Sequence, residues 1–440
     1  MSRRVVVTGA GAVCSLADSP GELQAALQQG RSGLKPVELF SLNGLGPQQA
    51  GEVRPFEPRN WLGDRNLRPV DRTARLLLAA AQQALDASGW TPERRQESEV
   101  GLVLGTMYGS IHTISEFDRR NVQLGPSYAS PFDFANSVIN AAAGQAAIWH
   151  HLWGVNSTVA AGEASGLLAL ATAADLIRGG RAAAVLAGGA EELCHESYLA
   201  FHRAGRLAGK RPVPFDAGRD GMALGEGAAI LVLEEADAAA GRGAGVLAEV
   251  LGHGAAFDPT GGEGSARAME RAVRLALEDA GLSPEQIDAV STGANGSVEE
   301  DRREALGIAA ALGDRAAAVP VTAVKSMLGE ALGASGALQA VAALGTLRDG
   351  VLPGIPDLES TGEGFPLPAV SAQSRAIEAR RILITASGAG GHCCALVLGR
   401  GGRTTLPVST RLSRACPRSG PDPCGRWRGG SRPSCAARTT

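Results

Sequence analysis

The most informative segment for the fold class reads Pro214-Phe-Asp-Ala-Gly-Arg-Asp-Gly-Met-Ala-Leu-Gly-Glu-Gly-Ala-Ala-Ile-Leu-Val-Leu-Glu-Glu235. Its first half is rich in Asp and Gly, which are typical of turns. Its second half is a continuous apolar run, which predicts a strand buried on both faces. A similar ending recurs as Gly390-Gly-His-Cys-Cys-Ala-Leu-Val-Leu398. The two similar endings are evidence of an internal duplication.

Apolar strand patterns alternate with amphipathic helix patterns along the chain on both sides of this stretch. The predicted strands cover residues 4–8, 100–105, 183–187, 228–234, 246–252, 287–291, 381–385 and 394–398. The predicted helices cover residues 20–29, 71–88, 136–151, 164–178, 266–280, 298–312 and 333–348. This order predicts an α/β protein whose sheets are covered by helices. The glycine-rich residues 241–245 are the predicted seam between residues 1–240 and residues 241–400.

Composition narrows the class of function. The chain has 440 residues, 44% of them hydrophobic and only 4% aromatic, with a formal net charge of -3. A slightly negative net charge provides no basic surface for nucleic acid and no electrostatic attraction to a membrane surface. No segment has the pattern of a signal peptide or of a membrane span. We therefore expect a soluble cytoplasmic protein that binds neither nucleic acid nor membrane.

The last forty residues differ from the rest. Residues 401–440 hold eight arginines and one acidic residue, with much Pro, Ser and Gly. Such a sequence buries too little apolar surface to offset the entropy of ordering, so it predicts a disordered basic tail. A nucleic-acid-binding arm is the alternative interpretation. The seven cysteines of the chain match no zinc or redox spacing, and no metal site is predicted.

One motif near the N-terminus has two interpretations. Val5-Val-Val-Thr-Gly-Ala-Gly-Ala-Val13 could lead into a dinucleotide site, but Cys14 stands where the third glycine would be. No acidic residue follows at the distance that would bind a ribose. We therefore expect a glycine turn after a buried strand.

Taken in order, the motifs resemble those of β-ketoacyl synthases of the thiolase fold. The resemblance covers residues 3–399. It includes the N-terminal Arg3-Arg-Val-Val-Val-Thr-Gly9 and residues 214–235, and also Ser130-Pro-Phe132, Val321-Thr-Ala-Val-Lys-Ser-Met327 and Gly388-Ala-Gly-Gly391. It implies two duplicated α/β halves packed as a five-layered αβαβα core. It also implies acyl chains that arrive on a phosphopantetheinyl acyl carrier protein, with no other cofactor.

Family members condense acyl thioesters with one cysteine and two histidines. The cysteine begins a buried helix, where the helix dipole favours a thiolate, and backbone N–H groups hold the oxyanion. The resemblance places these three groups at Glu163, Gly293 and Glu330. Of the usual active-site set only Lys325 remains. The resemblance therefore predicts a chain that has lost the condensing chemistry, with Glu163 filling the former oxyanion site.

Loss of the triad with retention of the scaffold is similar to the chain length factors of type II polyketide synthases. Those subunits pair with an active ketosynthase, and their usual residue at the cysteine position is glutamine, whereas this chain has Glu163. The resemblance implies a ketosynthase partner, an acyl carrier protein and a polyketide chain held in a tunnel. The departure from glutamine favours a reduced, polyene-type product.

In that family one helix of this subunit sets the depth of the tunnel. By match the helix contains Ile111, Ile114 and Asp118, which recur at helical spacing and so share a face. The alternative is that both isoleucines belong to the core. Asp118 is unusual for an apolar tunnel, so either it pairs with a basic residue or Phe117 is the lining residue. The predicted partner interface contains Phe132, Phe134 and Trp149.

Two other functions remain open from the sequence. The chain could be an enzyme in its own right, a malonyl-carrier-protein decarboxylase or primer-forming condensing enzyme that uses Glu163 and Lys325. The missing histidines count against this, because each contributes orders of magnitude to such chemistry. The chain could also be a degenerate homodimer with a binding role only.

Overall fold

A computed structural model of the chain describes residues 3–42, 44–45, 48–260 and 264–401, which form one compact unit. The predicted disordered tail, 401–440, lies outside the described residues except for Gly401. The predicted division of the chain at residue 240 stays a prediction. None of the described helices is both long enough and apolar enough to cross a membrane.

The strands of the described part are numbered in chain order. They are β1 (Val5–Cys14), β2 (Lys35–Pro36), β3 (Gln49–Ala50), β4 (Val100–Gly105), β5 (Asn156–Val159), β6 (Ala184–Glu191), β7 (Gly227–Glu235), β8 (Ala248–Phe257), β9 (Ala289–Ser291), β10 (Val321–Thr322), β11 (Val351–Leu352), β12 (Arg375–Ala376), β13 (Arg381–Ser387) and β14 (His392–Arg400).

The α-helices are numbered in the same way. They are α1 (Pro20–Gln28), α2 (Arg59–Leu62), α3 (Arg72–Ser88), α4 (Pro92–Gln96), α5 (Ile111–Leu124), α6 (Pro131–Ala135), α7 (Ala141–His150), α8 (Ser165–Arg178), α9 (His195–Arg203), α10 (Ala236–Gly241), α11 (Gly264–Ala280), α12 (Val298–Leu312), α13 (Lys325–Leu328) and α14 (Ser335–Asp349). Short 3-10 helices cover Pro126–Tyr128, Pro284–Gln286, Gly313–Ala317 and Leu332–Ala334.

The strand order confirms the predicted duplication. Ten strands form one hydrogen-bonded array in the order β10-β9-β13-β14-β8-β1-β7-β6-β4-β5. Read outward from its centre, β1-β7-β6-β4-β5 has the same sequence of antiparallel and parallel pairs as β8-β14-β13-β9-β10. The two five-stranded halves join where Val5–Val7 pairs antiparallel with Ala248–Val250. The array is thus two copies of one α/β unit.

Side-chain alternation along the strands produces the five layers. In β7, Leu231 points into a central apolar cluster that also holds Leu170 of α8 and Leu338 of α14. Its neighbour Ile230 points the other way, into an outer cluster with α3. In the second half, the outer cluster packs β14 against α11 and α12 and includes Val397. A strand presents successive side chains to opposite faces. Each half-sheet therefore separates an outer layer of helices from the central helices α8 and α14, which the two halves share.

The predicted glycine turn at residues 9–11 is wrong. Strand β1 continues through both glycines to Cys14, with one irregularity in register between Val7 and Gly9. A Cβ added to Gly9 would lie 2.3 Å from the carbonyl oxygen of Ala84 in α3. Glycine is therefore required because a helix backbone packs directly on the strand, and not because the chain turns there.

The other half repeats this contact. In β8, a Cβ on Gly254 would lie 2.3 Å from the carbonyl oxygen of Ala272 in α11, and Gly252 is equally crowded by Ala276. Strands β1 and β8, which correspond in the two halves, thus each carry two glycines with one residue between them, packed under an outer helix. This repeat is further evidence of the duplication.

The predicted single helix over residues 136–151 is also wrong. The structure has the short helix α6, then turns from Asn136 to Asn140, and then α7. The Asn136 side chain donates a hydrogen bond to the Pro69 carbonyl at 2.9 Å. This tertiary hydrogen bond holds the chain in a turn that helical periodicity does not detect.

Candidate functional site

Loops at the carboxyl ends of three strands, from both halves of the array, bring the predicted site positions together. Glu163 follows β5, Gly293 follows β9, and Lys325 and Glu330 follow β10. Strands β5 and β10 occupy equivalent places in the two halves. The loops that follow them bring Glu163 and Glu330 close enough for the charge of Glu330 to raise the pKa of Glu163. The glycine-rich turn between β13 and β14 closes the same region through Ala389.

Glu163 lies in a tight turn directly before α8. The Ser165 hydroxyl donates to the Gly162 carbonyl at 2.6 Å and accepts from the Ala161 N–H at 2.9 Å, which fixes this turn. Glu163 itself is buried. Its Oε2 accepts the backbone N–H of Ala389 at 3.3 Å. A carboxylate before a buried helix is favoured by the helix dipole and by free backbone N–H groups.

Opposite charges act on the Glu163 carboxyl. Burial raises its pKa, and the nearby carboxylate of Glu330 raises it further, as does that of Glu300. The Arg206 guanidinium opposes this shift, and its Nη1 donates to Glu163 Oε1 at 3.2 Å. The net pKa of Glu163 is raised, so its ionised form depends on Arg206.

Glu330 is saturated by donors. Its Oε2 accepts the Lys325 ammonium at 2.7 Å and the Asn295 amide at 2.9 Å. Its Oε1 accepts the Leu332 N–H at 3.0 Å and the Ser335 hydroxyl at 2.6 Å. The side chain is therefore held in one place, with none of these four donors directed at a ligand.

Lys325 and Glu330 form a buried ion pair. Burial alone would lower the pKa of Lys325, but the attraction of Glu330 and its hydrogen bond outweigh burial. Glu304 and Glu163 add to the same effect, and the pKa of Lys325 is raised. The lysine is thus a bound cation and not a neutral amine ready to act as a base.

Gly293 contributes only its backbone. Its N–H donates to Glu304 Oε1 at 2.8 Å, and the same oxygen accepts the Thr385 hydroxyl at 2.7 Å. A Cβ at Gly293 would lie 3.2 Å from that oxygen, tighter than most Cβ contacts. Burial raises the pKa of Glu304. A second carboxyl therefore lies beside the position where the family carries a histidine.

Sequence reasoning missed three polar residues of this site. Asn295 is two positions past Gly293 in the same motif, so the motif itself could have indicated it. Glu304 lies on the following helix, α12, where no sequence signal marks it as buried. Arg206 is 43 residues from Glu163 along the chain and nothing in the sequence links the two.

The thiols of the described residues are not activated. Cys14, Cys194, Cys393 and Cys394 are all buried. Burial raises the pKa of Cys14 to about 11 and those of Cys194 and Cys393 to about 12. A thiol with such a pKa is protonated near neutral pH and is a poor nucleophile.

The histidines with side-chain hydrogen bonds have partners away from Glu163. His112 Nδ1 lies 3.2 Å from Glu196, His150 Nε2 lies 3.3 Å from the Leu78 carbonyl, and His253 Nε2 lies 2.9 Å from Asp175. Burial, with Arg95 nearby, lowers the pKa of His150 to about 3. His150 is thus a neutral residue of the core.

Helix α5 carries the predicted tunnel residues and buries none of its side chains fully. Ile111 and Ile114 are half-buried and are not members of the apolar core clusters of the described residues. Their assignment to the tunnel stays a prediction, as does the alternative that they belong to the core. Phe117 is also half-exposed, and its ring lies 5.9 Å from that of Phe134. Asp118 is exposed. Both candidates for the lining position, Phe117 and Asp118, stay predictions, as does the tunnel itself.

Apolar side chains concentrate on the surface from the last turn of α5 onward. Twelve large hydrophobic residues of the described part are exposed, and nine of them lie in residues 122–153, with 42% to 86% of their surface accessible. They are Val122, Leu124, Tyr128, Phe132, Phe134, Val138, Ile139, Ile148 and Trp153. We call residues 122–153 the exposed apolar segment. Large exposed apolar patches are typical of interaction surfaces; that this segment is one stays a prediction.

The predicted interface residues differ in their surroundings. Phe132 and Phe134 are exposed members of the exposed apolar segment. Trp149 is half-buried instead, because the Arg65 guanidinium lies 3.8 Å above its ring. Strand β5 begins directly after the segment and is an end strand of the ten-stranded array. A strand in that position can hydrogen-bond to a further chain.

A buried carboxyl supports the loop before α5. Glu191 accepts backbone N–H groups from Met107 at 2.6 Å, Tyr108 at 2.9 Å and Gly333 at 3.2 Å. Burial raises its pKa to about 7 although these hydrogen bonds oppose the shift. Glu191 thereby ties the start of the α5 region to the loop that carries Glu330.

The next carboxyl, Glu192, is less well compensated. It accepts the His112 N–H in the first turn of α5 at 3.3 Å. Burial and the neighbouring Asp71 raise its pKa to about 8. At neutral pH the protonated form of Glu192 is therefore the favoured one.

Glu192 should make the stability of the chain depend on pH. Its folded-state pKa lies above its ordinary value of 4.5, so its contribution to stability is complete below about pH 4.5 and is lost as the pH rises through about 8. We expect the free energy of unfolding to fall from pH 5 to pH 8, and to fall less in the Glu192→Gln variant. Denaturant melts at several pH values measure this. An identical pH profile in the variant, with exposed Glu359→Gln as control, would contradict the expectation.

Two models of one protein family match the sequence of this chain. The family model of the β-ketoacyl synthase N-terminal domain matches residues 2–239, and that of the C-terminal domain matches residues 247–359. The chain belongs to the β-ketoacyl synthase family. As a ketosynthase-like chain it has the thiolase-like fold, and the predicted fold class is confirmed.

Relatives of this ketosynthase-like chain include both condensing enzymes and subunits of polyketide synthases. It is 32% identical to the 3-oxoacyl-[acyl-carrier-protein] synthase 2 of Coxiella burnetii, over 90% of this chain and 99% of the relative. It is 35% identical to the tetracenomycin polyketide synthase ketoacyl synthase beta subunit of Streptomyces glaucescens, over 90% and 98%. The solved ishigamide ketosynthase/chain length factor is 33% identical, with a TM-score of 0.87, over 91% of this chain and all of that one.

Proposed function

We propose that this chain is a chain length factor: a subunit that does not condense by itself, pairs with an active ketosynthase and sets the length of a polyketide. The observation that carries the proposal is the composition of the site. Where the family places a cysteine and two histidines, this chain has Glu163, Gly293 and Glu330. The two carboxylates and Lys325 bind one another or neighbouring donors.

The chemistry of these groups argues against condensation by the isolated chain. A carboxylate is a poor acyl carrier compared with a thiolate. Decarboxylation of a malonyl unit needs donors aimed at the developing enolate, and a nearby carboxylate opposes that charge. The Lys325 ammonium is bound to Glu330 at 2.7 Å, and the N–H of Ala389 is bound to Glu163. This occupancy disfavours the alternative of a decarboxylase that uses Glu163 and Lys325.

The exposed apolar segment supports a partner subunit. Residues 122–153 place nine large apolar side chains in solvent, and β5 leaves a strand edge beside them. The resemblance to a ketosynthase/chain length factor favours a catalytic ketosynthase as the occupant of this surface. The acyl carrier protein is the second partner, since it is named as the substrate carrier of the condensing relatives.

The surface of α5 bears on the class of product. Ile111, Ile114 and Phe117 are half-exposed apolar residues without hydrogen-bond donors. A poly-β-ketone chain carries a carbonyl group on every second carbon, and each one loses hydration in an apolar tunnel. A reduced, polyene-type chain has fewer such groups. The α5 side chains therefore favour a reduced product.

Shortening Ile114 should lengthen the product. If Ile114 closes the tunnel that the partner chain opens, Ile114→Ala removes three carbon atoms from its floor and makes room for further extension. We expect the reconstituted synthase to release chains longer by at least one two-carbon unit, measured by mass spectrometry of the products. Exposed Val298→Ala, outside α5 and outside the exposed apolar segment, is the matched control. An intact complex with an unchanged product distribution would argue against this assignment.

Co-expression with a ketosynthase that carries the Cys-His-His triad tests the proposal. We expect a stable one-to-one complex that elongates malonyl units on the carrier protein, and a ketosynthase that elongates poorly when this chain is omitted. A chain that purifies as a self-associated dimer and ignores the ketosynthase would favour the homodimer alternative instead.

A further inference from the structure

Glu163 connects to the surface through two more charged residues. Arg206 Nη1 donates to Glu163 at 3.2 Å, and Arg206 Nη2 donates to both carboxylate oxygens of Glu300 at 2.7 and 2.6 Å. The exposed fraction of the side chain rises along this series, from 3% for Glu163 to 20% for Arg206 and 26% for Glu300. The arginine therefore lies between the buried carboxylate and solvent.

Further contacts hold Arg206 in this position. Its guanidinium lies 4.9 Å from the centroid of the Phe201 ring, within the range of a cation–π contact. Its backbone carbonyl accepts the Met222 N–H at 3.0 Å, and its N–H donates to the Phe201 carbonyl at 3.1 Å. Because two carboxylates and one aromatic ring already fix the guanidinium, keeping it beside Glu163 costs little further side-chain entropy.

We propose that Arg206 and Glu300 cover the former nucleophile position, hold the Glu163 side chain against the Ala389 N–H and exclude acyl carriers from this subunit. We call these two residues the covering pair. The inference rests on the proposed function, in which acyl transfer belongs to the partner. It adds the reason why a carrier-bound thioester cannot use this subunit's own pocket: the approach to it is occupied by a fixed guanidinium.

Electrostatics agree with this role of Arg206. The charged groups around Glu163 are Glu330, its partner Lys325 and the covering pair. Among the described residues, no charged group other than Arg206 is bonded to the oxygens of Glu163. Burial and the two carboxylates raise the pKa of Glu163, and Arg206 alone among its larger influences lowers it by charge. Without Arg206 the buried carboxylate would have no bonded counter-ion.

Alkylation of an engineered thiol tests the covering directly. The Glu163→Cys substitution places a thiol at the covered position and removes the buried charge, so loss of Arg206 in that background leaves no unpaired carboxylate there. We expect iodoacetamide to alkylate residue 163 at least ten-fold faster in E163C/R206A than in E163C. Peptide mass spectrometry separates this site from the other cysteines. E163C/R380A is the matched control, because Arg380 pairs with exposed Glu378 elsewhere, and its rate should equal that of E163C.

A pH profile tests the positioning of Glu163 separately. In Arg206→Ala the folded-state pKa of Glu163 should rise further above its unfolded value, so stability is lost as the pH increases from 5 to 8. The E163Q/R206A variant has no carboxyl at this position and should lose this extra pH dependence. Equal alkylation rates with and without Arg206, or the same pH profile in both variants, would overturn the inference.

Failure of this inference can be distinguished from failure of the proposed function. The same preparations can be mixed with the ketosynthase, and complex formation depends on the exposed apolar segment rather than on Arg206. An alkylation rate that does not respond to Arg206 in a chain that still forms the complex refutes only the covering role. A chain that binds no ketosynthase refutes the proposed function whatever its alkylation rate.

Discussion

Replacing Phe132 and Phe134 together by aspartate is expected to abolish co-purification with the ketosynthase. Both side chains are about two-thirds exposed in this chain, at 66% and 65%. A buried interface aromatic contributes about 2 kcal/mol or more to association. Two such losses, at about 1.4 kcal/mol per factor of ten, weaken binding by about two to three orders of magnitude. Buried aspartates add a desolvation cost.

Two measurements separate this effect from misfolding. The melting temperature of the isolated double variant should stay close to that of the parent, because these side chains are mostly in solvent already. Phe257→Asp is the matched control, since Phe257 is 55% exposed and lies outside the exposed apolar segment. Titration calorimetry gives the affinity of each variant. A double variant that binds the ketosynthase as tightly as the parent would place the interface elsewhere.

Replacing Lys325 by methionine is expected to be the most destabilising single change in the site. Lys325 and Glu330 are both almost wholly buried, at 3% and 0% side-chain exposure. Removing one member of a buried ion pair leaves an uncompensated charge and costs about 3 to 5 kcal/mol. The loss should be seen as a lower midpoint in chemical denaturation of the isolated chain.

The double variant K325M/E330Q distinguishes lost charge pairing from lost packing. Glutamine carries no charge and keeps one acceptor oxygen for the Leu332 N–H and the Ser335 hydroxyl, while its NH2 group replaces the oxygen that accepted Lys325 and Asn295. We expect it to recover a large part of the stability that K325M loses, since no charge then remains unpaired at this position. If K325M melts like the parent chain, the ion pair does not stabilise the site as described.

The sequence is sufficient for the large-scale architecture because the strands are apolar throughout and their endings repeat. Leu231 and Leu396 belong to the same central cluster, as the two similar endings suggested. The wrong predictions concern features that depend on contacts between residues distant in the sequence. Gly9 looks like a turn residue, yet it stays in a strand because the α3 backbone packs 2.3 Å from its would-be Cβ. Periodicity describes one element at a time and cannot detect such a contact.

The same reason limits prediction of the site. Motif matching places Glu163, Gly293, Lys325 and Glu330 in one region, and the structure brings them together. It does not reveal that Glu163 is paired, because its partner Arg206 lies in a loop after α9 without a recognisable pattern. Nor does it reveal that α5 is only half-covered, since Ile111 and Ile114 have the same spacing whether they face a core or another chain.

The isolated chain is expected to be unable to do the condensing chemistry of its family. Release of labelled carbon dioxide from malonyl-carrier protein, measured for this chain alone, for the ketosynthase alone and for the one-to-one complex, tests this most directly. We expect release from the complex, and only background release and no covalently bound acyl label from this chain alone. Steady release or a labelled acyl adduct on the isolated chain would contradict the account.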